Sequence, residues 1–326
     1  MKKNILLVND TSLTCHHGCT LLMQSIYYLF KKNNLFIKNK IYLEQNALDF
    51  IESVNSFDLV LINGEGIIHG KQNADQNKVD EIINFIRIIK TEYDVPVVIF
   101  NSTISSLRNK HIKILKLVDK IYVREKYSFN YLKKNKINSS ILPDLLSLLK
   151  IKGKKNKNKI IVTDSSIKKI SHKLFNYADF KNYKYIPILY NNYLRYIRFF
   201  VFKFILKIKI NFLVNIYLYL KNLYLQKFIN EILDSKFIIT GRFHGIFICL
   251  ALMKPFYTFR SDTYKVKGLM EMIGIPQRIE NPKNLNNLIL KKFTKSEILK
   301  ISNFKVYSEL KFNNFIGDIK KILKVK

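Results

Sequence analysis

The stretch from Ser235 to Phe259 constrains the fold more than any other part of the 326-residue chain. Phe237 to Thr240 reads as a short buried strand, and glycines on either side of the next three residues allow a tight turn. Ile246 to Met253 is almost entirely apolar, which predicts a helix buried on most sides, and Phe256 to Phe259 predicts another strand. This order is typical of a strand–turn–helix–strand unit in a parallel sheet.

An arginine and a histidine occupy the turn of this unit. Arg242 and His244 follow the carboxyl end of the strand and open the helix, which is where ligands bind in open α/β sheets. The free N–H groups and the partial positive charge of a helix N-terminus suit an anion there. In the alternative interpretation, Arg242 forms a surface ion pair and His244 is an ordinary residue of the first helical turn. The location favours a binding role.

The first half of the chain alternates strands with helices. Its strands are nearly continuous apolar runs, which favours a parallel, doubly wound sheet covered on both faces. The predicted strands are Lys3–Asn9, Phe57–Asn63, Pro96–Phe100, Lys120–Val123 and Ser140–Leu142, and the predicted helices are Thr20–Lys32, Asp80–Lys90, His111–Val118 and Glu125–Lys134.

A second α/β series follows a basic, turn-rich run from Lys150 to Lys159, which we interpret as a linker, with a surface loop as the alternative. The further predicted elements are strands at Ile160–Thr163 and Tyr185–Leu189, the unit around Arg242, a helix at Lys265–Ile273 and a C-terminal helix at about Asn314–Lys324. The sequence therefore predicts an α/β protein with two Rossmann-like domains, residues 1–150 and 151–326, facing across a cleft in a GT-B-like plan. We expect the C-terminal helix to pack back on the first domain.

The chain is strongly basic. It has 56 Lys and Arg residues against 24 Asp and Glu residues, a formal net charge of +32. This excess predicts affinity for anionic surfaces. No stretch resembles a nucleic-acid-binding signature, so we expect no nucleic-acid partner.

A basic, apolar insert at about residues 192–226 interrupts the alternation. It is dense in Tyr, Phe, Leu and Ile, but its cations recur too often for a membrane span of about 20 apolar residues. Two interpretations remain open. One is an amphipathic helix lying on an anionic leaflet, and the other is an internal helical pair whose lysine stems reach water.

The cysteines and the N-terminus indicate a cytoplasmic protein, peripheral on the inner membrane if the insert binds lipid. An odd count of three cysteines without framework spacing indicates a reducing compartment. Cys15 and Cys19 flank two histidines but lack a second ligand pair, so we expect no metal. The opening MKKNILLVND is too short and too soon polar for a signal peptide, and it reads as a strand.

Several motifs at the predicted strand ends occur in an order typical of one family. They are Asn9-Asp10-Thr11-Ser12 with His16-His17-Gly18-Cys19, Asn63-Gly64-Glu65-Gly66-Ile67-Ile68-His69, Val123-Arg124-Glu125-Lys126-Tyr127-Ser128, Pro143-Asp144, Gly241-Arg242-Phe243-His244-Gly245, and Lys265 with Gly268-Leu269. By these motifs the chain resembles the polysaccharide pyruvyl transferase family over nearly its whole length. Ile67 departs from the family's usual threonine, and many members carry a different N-terminal loop.

The resemblance implies a GT-B-like transferase that moves the enolpyruvyl unit of phosphoenolpyruvate onto a sugar as a pyruvate ketal. The acceptor would be a cell-surface glycan of the capsule or lipopolysaccharide kind, or its lipid-linked precursor. Phosphoenolpyruvate would be a donor substrate, and no cofactor is expected.

The same resemblance assigns roles to individual residues. Arg242 and Arg124 would clamp the donor's carboxylate and phosphate, since guanidinium forks bind both groups bidentately. His244 would be the general acid. The candidates for the base that accepts the hydroxyl proton are Glu65, His69 and His17, with Asp144 and Asp10 as weaker ones because an Asp after a strand more often caps a turn or helix.

The remaining candidates for substrate binding are Lys265, Asn63, Gly64, Gly66, Asp10 and His17. Each has a structural alternative. The glycines would simply form a tight turn, Glu65 would cap a helix, and Arg124 would pair with the neighbouring Glu125.

Two other functions stay open at this point. One is a GT-B glycosyltransferase, or a transferase of another phosphorylated group, on the same scaffold. The other is a non-catalytic, membrane-associated scaffold of a glycan assembly complex. An enzyme requires that Arg124, Glu65, Arg242 and His244 line one cleft. Phosphoenolpyruvate needs only a compact anion pocket, whereas a nucleotide sugar needs a slot in which its base stacks.

Overall fold

The computed structural model describes residues 3–70, 75–151, 153, 158–190, 197 and 211–325. Its strands form two sheets in which all neighbouring strands run parallel. The first sheet contains β1 (Asn4–Asp10), β2 (Phe36–Tyr42), β3 (Leu59–Glu65), β4 (Val97–Ser102), β5 (Lys120–Val123) and β6 (Ser140–Ile141). The second contains β7 (Lys159–Ser165), β8 (Lys184–Tyr185), β9 (Ser235–Gly241), β10 (Phe256–Phe259) and β11 (Ile279–Glu280).

Helices connect the strands and cover both sheets. In chain order they are α1 (His17–Lys32), α2 (Gln76–Ile88), α3 (Asn109–Leu115), α4 (Lys126–Lys134), α5 (Lys168–Phe180), α6 (Asn211–Leu233), α7 (Phe243–Ala251), α8 (Lys265–Ile273) and α9 (Lys295–Ile322). Because helices lie on both faces of the first sheet, every residue of β3 and β4 is buried. This explains why these strands are continuous apolar runs.

The two sheets share one strand order. The first runs β2-β1-β3-β4-β5-β6, and the second runs β8-β7-β9-β10-β11 when read from its other edge. In the first sheet β1 lies beside β3, and in the second β7 lies beside β9. The chain winds in opposite directions from these two neighbouring strands, so a crevice opens at their carboxyl ends. The prediction of an α/β fold with two Rossmann-like, doubly wound sheets in a GT-B-like plan is confirmed. The boundary between residues 150 and 151 falls between the sheets and stays a prediction.

Two elements near the sheet edges differ from what the sequence analysis predicted. Strand β2, FIKNKIY, lies at an edge and is mostly exposed, so it lacks the apolar run that identifies the inner strands. The predicted strand at Tyr185–Leu189 pairs with β7 only at its start. Leu189 then forms a bridge with His16, and the carbonyl of Ile188 accepts from the His17 N–H at 3.0 Å. Backbone hydrogen bonds therefore join the second domain to the loop after β1.

The C-terminal helix packs on the first domain, as predicted, but it is much longer than predicted. Helix α9 begins at a capping box formed by Thr294 and Glu297. Near its other end, Phe315 contacts the ring of Tyr122 edge-on at 4.9 Å, and Asp318 accepts from the Tyr122 hydroxyl at 2.6 Å. This helix therefore fixes the second domain against the first.

The predicted insert at about 192–226 lies partly outside the described residues, including its cations Arg195, Arg198, Lys203 and Lys207. The described part belongs to α6, and its buried side chains follow each other at helical spacing: Val214, Tyr217, Lys221, Leu225 and Phe228. Lys221 does not reach water. Its ammonium donates to the carbonyls of Ser12 and Thr14, and burial lowers its pKa to about 8. One face of this part of α6 is therefore core, whereas Ile216, Tyr219 and Leu223 are exposed, and the membrane interpretation of the insert stays a prediction.

Among the described helices, none is both long enough and apolar enough to cross a membrane.

Candidate active site

The crevices of the two sheets face each other and enclose a cavity of about 250 Å³. Its walls come from the loops after β1, β2, β3, β5, β7 and β9 and from the start of α8. The lining residues are Thr11, Thr14, His16, Cys19, Leu43, Glu65, Gly66, Ile67, Arg124, Ser166, Arg242, Phe243, His244 and Lys265. Arg124, Glu65, Arg242 and His244 therefore line one cavity, which is the arrangement that an enzyme requires.

Glu65 is held rigidly at the end of β3. Its Oε1 accepts from the Thr11 hydroxyl at 2.6 Å and from Asn63 Nδ2 at 3.3 Å, and its Oε2 lies 3.7 Å from Cys19 Sγ. Its φ of 34° lies in the left-handed region, which is unusual for a non-glycine residue. Such strain persists where the surrounding contacts impose it, and it concentrates at functional sites.

Three asparagines at adjacent strand ends support this geometry. Asn63 and Asn9 exchange side-chain to backbone hydrogen bonds of 3.2 Å, and Asn101 Nδ2 donates to Asn63 Oδ1 at 3.0 Å. Asn63 is fully buried and outside the cavity wall. It positions Glu65, whereas the sequence analysis expected it to bind substrate directly.

Arg124 follows β5 and is almost completely buried. Its Nη1 donates to Asp144 Oδ2 at 2.9 Å, its Nε donates to the Thr103 hydroxyl at 2.8 Å, and its guanidinium lies 4.5 Å from the Phe243 ring centre. The alternative of a local pair with Glu125 is wrong, because Glu125 caps the N-terminus of α4 instead. Arg124 turns its Nη2 towards Gly66 at the cavity wall.

Arg242 follows β9 of the second sheet and, like Arg124, is paired with a buried aspartate. Its Nε donates to Asp164 Oδ2 at 2.8 Å, and its Nη2 donates to the same oxygen. Asp164 Oδ1 accepts from the Ile188 N–H at 2.7 Å, so the carboxylate is fixed at the end of β7. Within the described residues, Arg242 Nη1 has no hydrogen-bond partner. A buried carboxylate behind each arginine thus orients it towards the cavity.

Lys265, the first residue of α8, is the third cation of the cavity. Its Nζ lies 3.8 Å from Asp262 Oδ1 and close to Gly66 on the facing domain. Burial, and then the charge of Arg124, lower its pKa. The three cations come from β5, β9 and α8 and converge on one space.

His244 lies in the first turn of α7 and is 7% exposed. Its Nε2 is 3.9 Å from Asp144 Oδ2 and has no hydrogen-bond partner among the described residues. Burial is the largest cause of a pKa well below the usual value, and Arg124, Lys265 and Arg242 lower it further. His244 is therefore neutral, and in the described part of the chain its buried Nε2 faces the carboxylate of Asp144 without a hydrogen bond.

Gly18, in the first turn of α1, allows His244 to approach the first domain. A Cβ at position 18 would lie 2.6 Å from His244 Cγ, closer than real Cβ atoms come. We expect Gly18→Ala to push the His244 ring out of place and to lower turnover about 10²-fold, because a displacement of about 1 Å has that effect on catalysis. Steady-state kinetics and circular dichroism test this. Gly317→Ala is the control, since nothing lies within 4 Å of its added methyl. Full activity of Gly18→Ala would contradict the placement of His244.

Several predicted site residues lie outside the cavity wall. His17 stacks on Phe228 at 4.3 Å, and burial lowers its pKa to about 3. His69 is buried and bridges to Ser105 in the backbone ladder. Asp10 accepts from the Ser12 N–H at 2.7 Å and from the Tyr27 hydroxyl, and so shapes its own loop.

Gly64 and Asp144 also lie outside the wall. The backbone at Gly64 passes too close to Ser102 to leave room for a side chain. Asp144 pairs with Arg124 and caps the short helix Leu145–Leu148. Of the candidate bases, Glu65 alone faces the cavity in the described part of the chain.

His16 and Cys19 line the cavity, and the sequence analysis assigned them no role. Two adjacent histidines cannot be distinguished by pattern until the start of the helix is known. Helix α1 begins at His17 and turns that ring into the core, whereas His16 is the N-cap and faces the cavity.

One ring nitrogen of His16, one of His244 and Cys19 Sγ lie within 4.8 Å of one another, close enough to share a cation. Burial and the charge of Glu65 raise the pKa of the Cys19 thiol, however, and three cationic side chains line the same cavity. Thiolate is the form that binds zinc, so these surroundings favour an anion over a metal. The absence of a metal requirement stays a prediction.

Known proteins resemble this chain in fold and in family. No curated protein matches the chain in sequence. A functionally uncharacterised protein from Klebsiella pneumoniae subsp. pneumoniae NTUH-K2044 shares the fold, with a TM-score of 0.51 at 14% identity over 82% of this chain and 88% of that one. A UDP-GlcNAc 2-epimerase from Methanocaldococcus jannaschii aligns with a TM-score of 0.48 at 11% identity, over 94% and 100% of the two chains.

The family model for polysaccharide pyruvyl transferases matches residues 16–263. The matched part includes the loop of His16, the Glu65 strand end, Arg124 and the turn with Arg242 and His244. The chain belongs to the polysaccharide pyruvyl transferase family.

Proposed function

We propose that this protein transfers the pyruvyl group of phosphoenolpyruvate to a pair of hydroxyls on a sugar, forming a cyclic ketal and inorganic phosphate. The observation that carries the proposal is the convergence of Arg124, Arg242 and Lys265 on a cavity that also holds His244 and Glu65. The donor has two anionic groups, a carboxylate and a phosphate. Two guanidinium groups and an ammonium are cations of the kind that bind both of these groups.

The size of the cavity favours this donor over a nucleotide sugar. At about 250 Å³ it is smaller than the ~300–1,000 Å³ typical of pockets for drug-sized ligands. The aromatic ring in its wall belongs to Phe243, which already lies against the guanidinium of Arg124. Among the described residues, these walls suit a compact anion better than the stacked base of a nucleotide sugar.

His244 is the proposed general acid. It donates a proton to the methylene carbon of the donor, which becomes a methyl group and leaves the adjacent carbon electrophilic. The first sugar hydroxyl attacks that carbon, and the second then displaces the phosphate as the bond between that carbon and the bridging phosphate oxygen breaks. Of the two hydroxyl protons, the first passes through Glu65 to the departing inorganic phosphate, and the second restores His244.

Glu65 is the proposed base for the attacking hydroxyl. It belongs to the first domain, opposite His244 of the second, so the acid and the base act from opposite walls. Hydrogen bonds from Thr11 and Asn63 fix its Oε1, which leaves Oε2 to accept the proton. The acceptor therefore enters from the side of the first domain, and its identity as a cell-surface glycan, free or lipid-linked, is part of the proposal.

Donor binding is expected to take up a proton. Without the donor, burial and the charges of Arg124, Lys265 and Arg242 hold the pKa of His244 well below its usual value. The donor's carboxylate and phosphate offset the charges of these three cations, so donor binding raises the pKa of His244 and favours the imidazolium.

Titration calorimetry at pH 7.5 in buffers of different ionisation enthalpy measures this uptake, since the donor's phosphate, with a second pKa of about 6, is already ionised there. His244→Gln should bind the donor without proton uptake. Proton release by the wild type, or equal uptake by the variant, would contradict His244 as the acid.

A further inference from the structure

His16 lines the catalytic cavity beside His244, yet its surroundings are different. It is the N-cap of the 16-residue helix α1, with an extended backbone, and its Nδ1 accepts the backbone N–H of Cys19 at 3.2 Å. The two imidazole rings stand edge to face with their centres 5.4 Å apart. His16 is partly exposed, whereas His244 is buried with an unpartnered Nε2 in the described structure.

The cap hydrogen bond decides the tautomer of His16. An Nδ1 that accepts from Cys19 has its lone pair committed, so the proton of the neutral ring is on Nε2. If Nδ1 were protonated, its N–H would point at the N–H of Cys19, and the hydrogen bond that caps α1 would be lost. His16 therefore cannot act as a base at either nitrogen, but its Nε2–H is a hydrogen-bond donor.

The charged groups around His16 act in the same direction. His244 and Arg242 face it from the second sheet, Lys265 from α8 and His17 from α1, and all of them oppose a positive charge on its ring. Burial opposes that charge most strongly. The partial positive charge of the α1 N-terminus adds to them.

We propose that His16 is a permanently neutral hydrogen-bond donor. Its Nε2–H binds the phosphate of phosphoenolpyruvate. This inference rests on the proposed function, since it assigns the phosphate of that donor to the side of the cavity formed by α1. A neutral His16 also explains how its ring can lie beside that of His244 in the cavity. Two imidazolium rings at 5.4 Å would repel each other, whereas a His16 fixed as neutral leaves the single titrating proton to His244.

Two substitutions separate the helix-capping role of His16 from its role as a hydrogen-bond donor. His16→Asn keeps a side-chain oxygen that caps α1 but has no group at the position of Nε2. His16→Gln reaches the position of Nε2 with an amide N–H but caps poorly. We expect His16→Asn to keep a melting temperature close to that of the wild type and to bind phosphoenolpyruvate and inorganic phosphate about 10- to 100-fold more weakly, the effect of losing one hydrogen bond to a charged group. His16→Gln should melt at a lower temperature and retain more of the affinity.

Nitrogen NMR of the histidine-labelled protein tests the tautomer directly, with His16→Asn identifying the signals. The wild type should show an unprotonated Nδ1 and a protonated Nε2 for His16 from pH 5.5 to 8.5, and inorganic phosphate should shift the Nε2–H signal. If phosphate does so and phosphoenolpyruvate does not bind, the proposed donor is wrong and the role of His16 stands.

Three outcomes would overturn the inference. They are protonation of His16 Nδ1 in this pH range, an Nε2–H signal that neither anion shifts, and a His16→Asn variant that binds both anions as tightly as the wild type.

Discussion

Replacing Arg242 by alanine is expected to eliminate detectable binding of phosphoenolpyruvate. The guanidinium is held by Asp164 with one edge left for the donor, so its loss removes charge-assisted hydrogen bonds that cannot be replaced from elsewhere. Two such bonds are worth about 3–6 kcal/mol, or about 10²–10⁴ in affinity. Titration calorimetry measures the affinity, and urea unfolding shows how much stability the substitution costs.

Replacing both members of the Arg242–Asp164 ion pair provides the control for this substitution. Arg242→Ala leaves the carboxylate of Asp164 buried without its partner, which destabilises the protein by itself. The double variant Arg242→Ala/Asp164→Ala removes that charge, so it should recover stability but not donor binding. Arg242→Lys keeps the positive charge but loses the bidentate guanidinium, so this variant should bind phosphoenolpyruvate weakly. Wild-type affinity in the double variant would contradict the clamp.

Replacing His244 by glutamine is expected to lower turnover by about 10²–10⁴-fold with a modest change in donor affinity, which is the usual effect of removing a general acid. Glutamine fills much of the same space beside Gly18 and cannot supply a proton at neutral pH. The measurement is inorganic phosphate release with a competent acceptor, together with donor affinity by calorimetry.

The comparison that isolates the acid is with Glu65→Gln. Both variants should bind the donor, and both should turn over slowly. The pH dependence of turnover should lose its basic limb in His244→Gln, because the wild-type rate falls as the donor-bound His244 deprotonates. A His244→Gln variant with near-normal turnover would remove His244 from this role.

The sequence predicted the parts of the site that depend on local pattern. Arg242 and His244 follow a buried strand and open an apolar helix, so their position at a strand end is readable without a structure. The same holds for Glu65 and Arg124. The rule that the carboxyl ends of parallel strands lie at one edge of a sheet brings Glu65 near Arg124, whereas their approach to Arg242 and His244 depends on how the two sheets face each other.

The parts that the sequence left open depend on long-range contacts. Asp144 and Asp164 orient the two arginines from 20 and 78 residues away, and no local pattern pairs them. The choice between His16 and His17 depends on where α1 begins, which the apolar spacing placed three residues too late. Lys221 belongs to the insert whose lysines were expected to reach water, yet it is buried because the carbonyls of a distant loop accept hydrogen bonds from its ammonium.

The most direct test of the central claim is the thermal shift of the purified protein with phosphoenolpyruvate, measured beside a panel of UDP-, GDP- and CMP-sugars. A ligand that binds only the folded state raises the melting temperature. We predict a shift with phosphoenolpyruvate that disappears in the Arg242→Ala/Asp164→Ala variant, and no shift with the nucleotide sugars. A shift with a nucleotide sugar alone would contradict the proposed donor and make this protein a glycosyltransferase on the same fold.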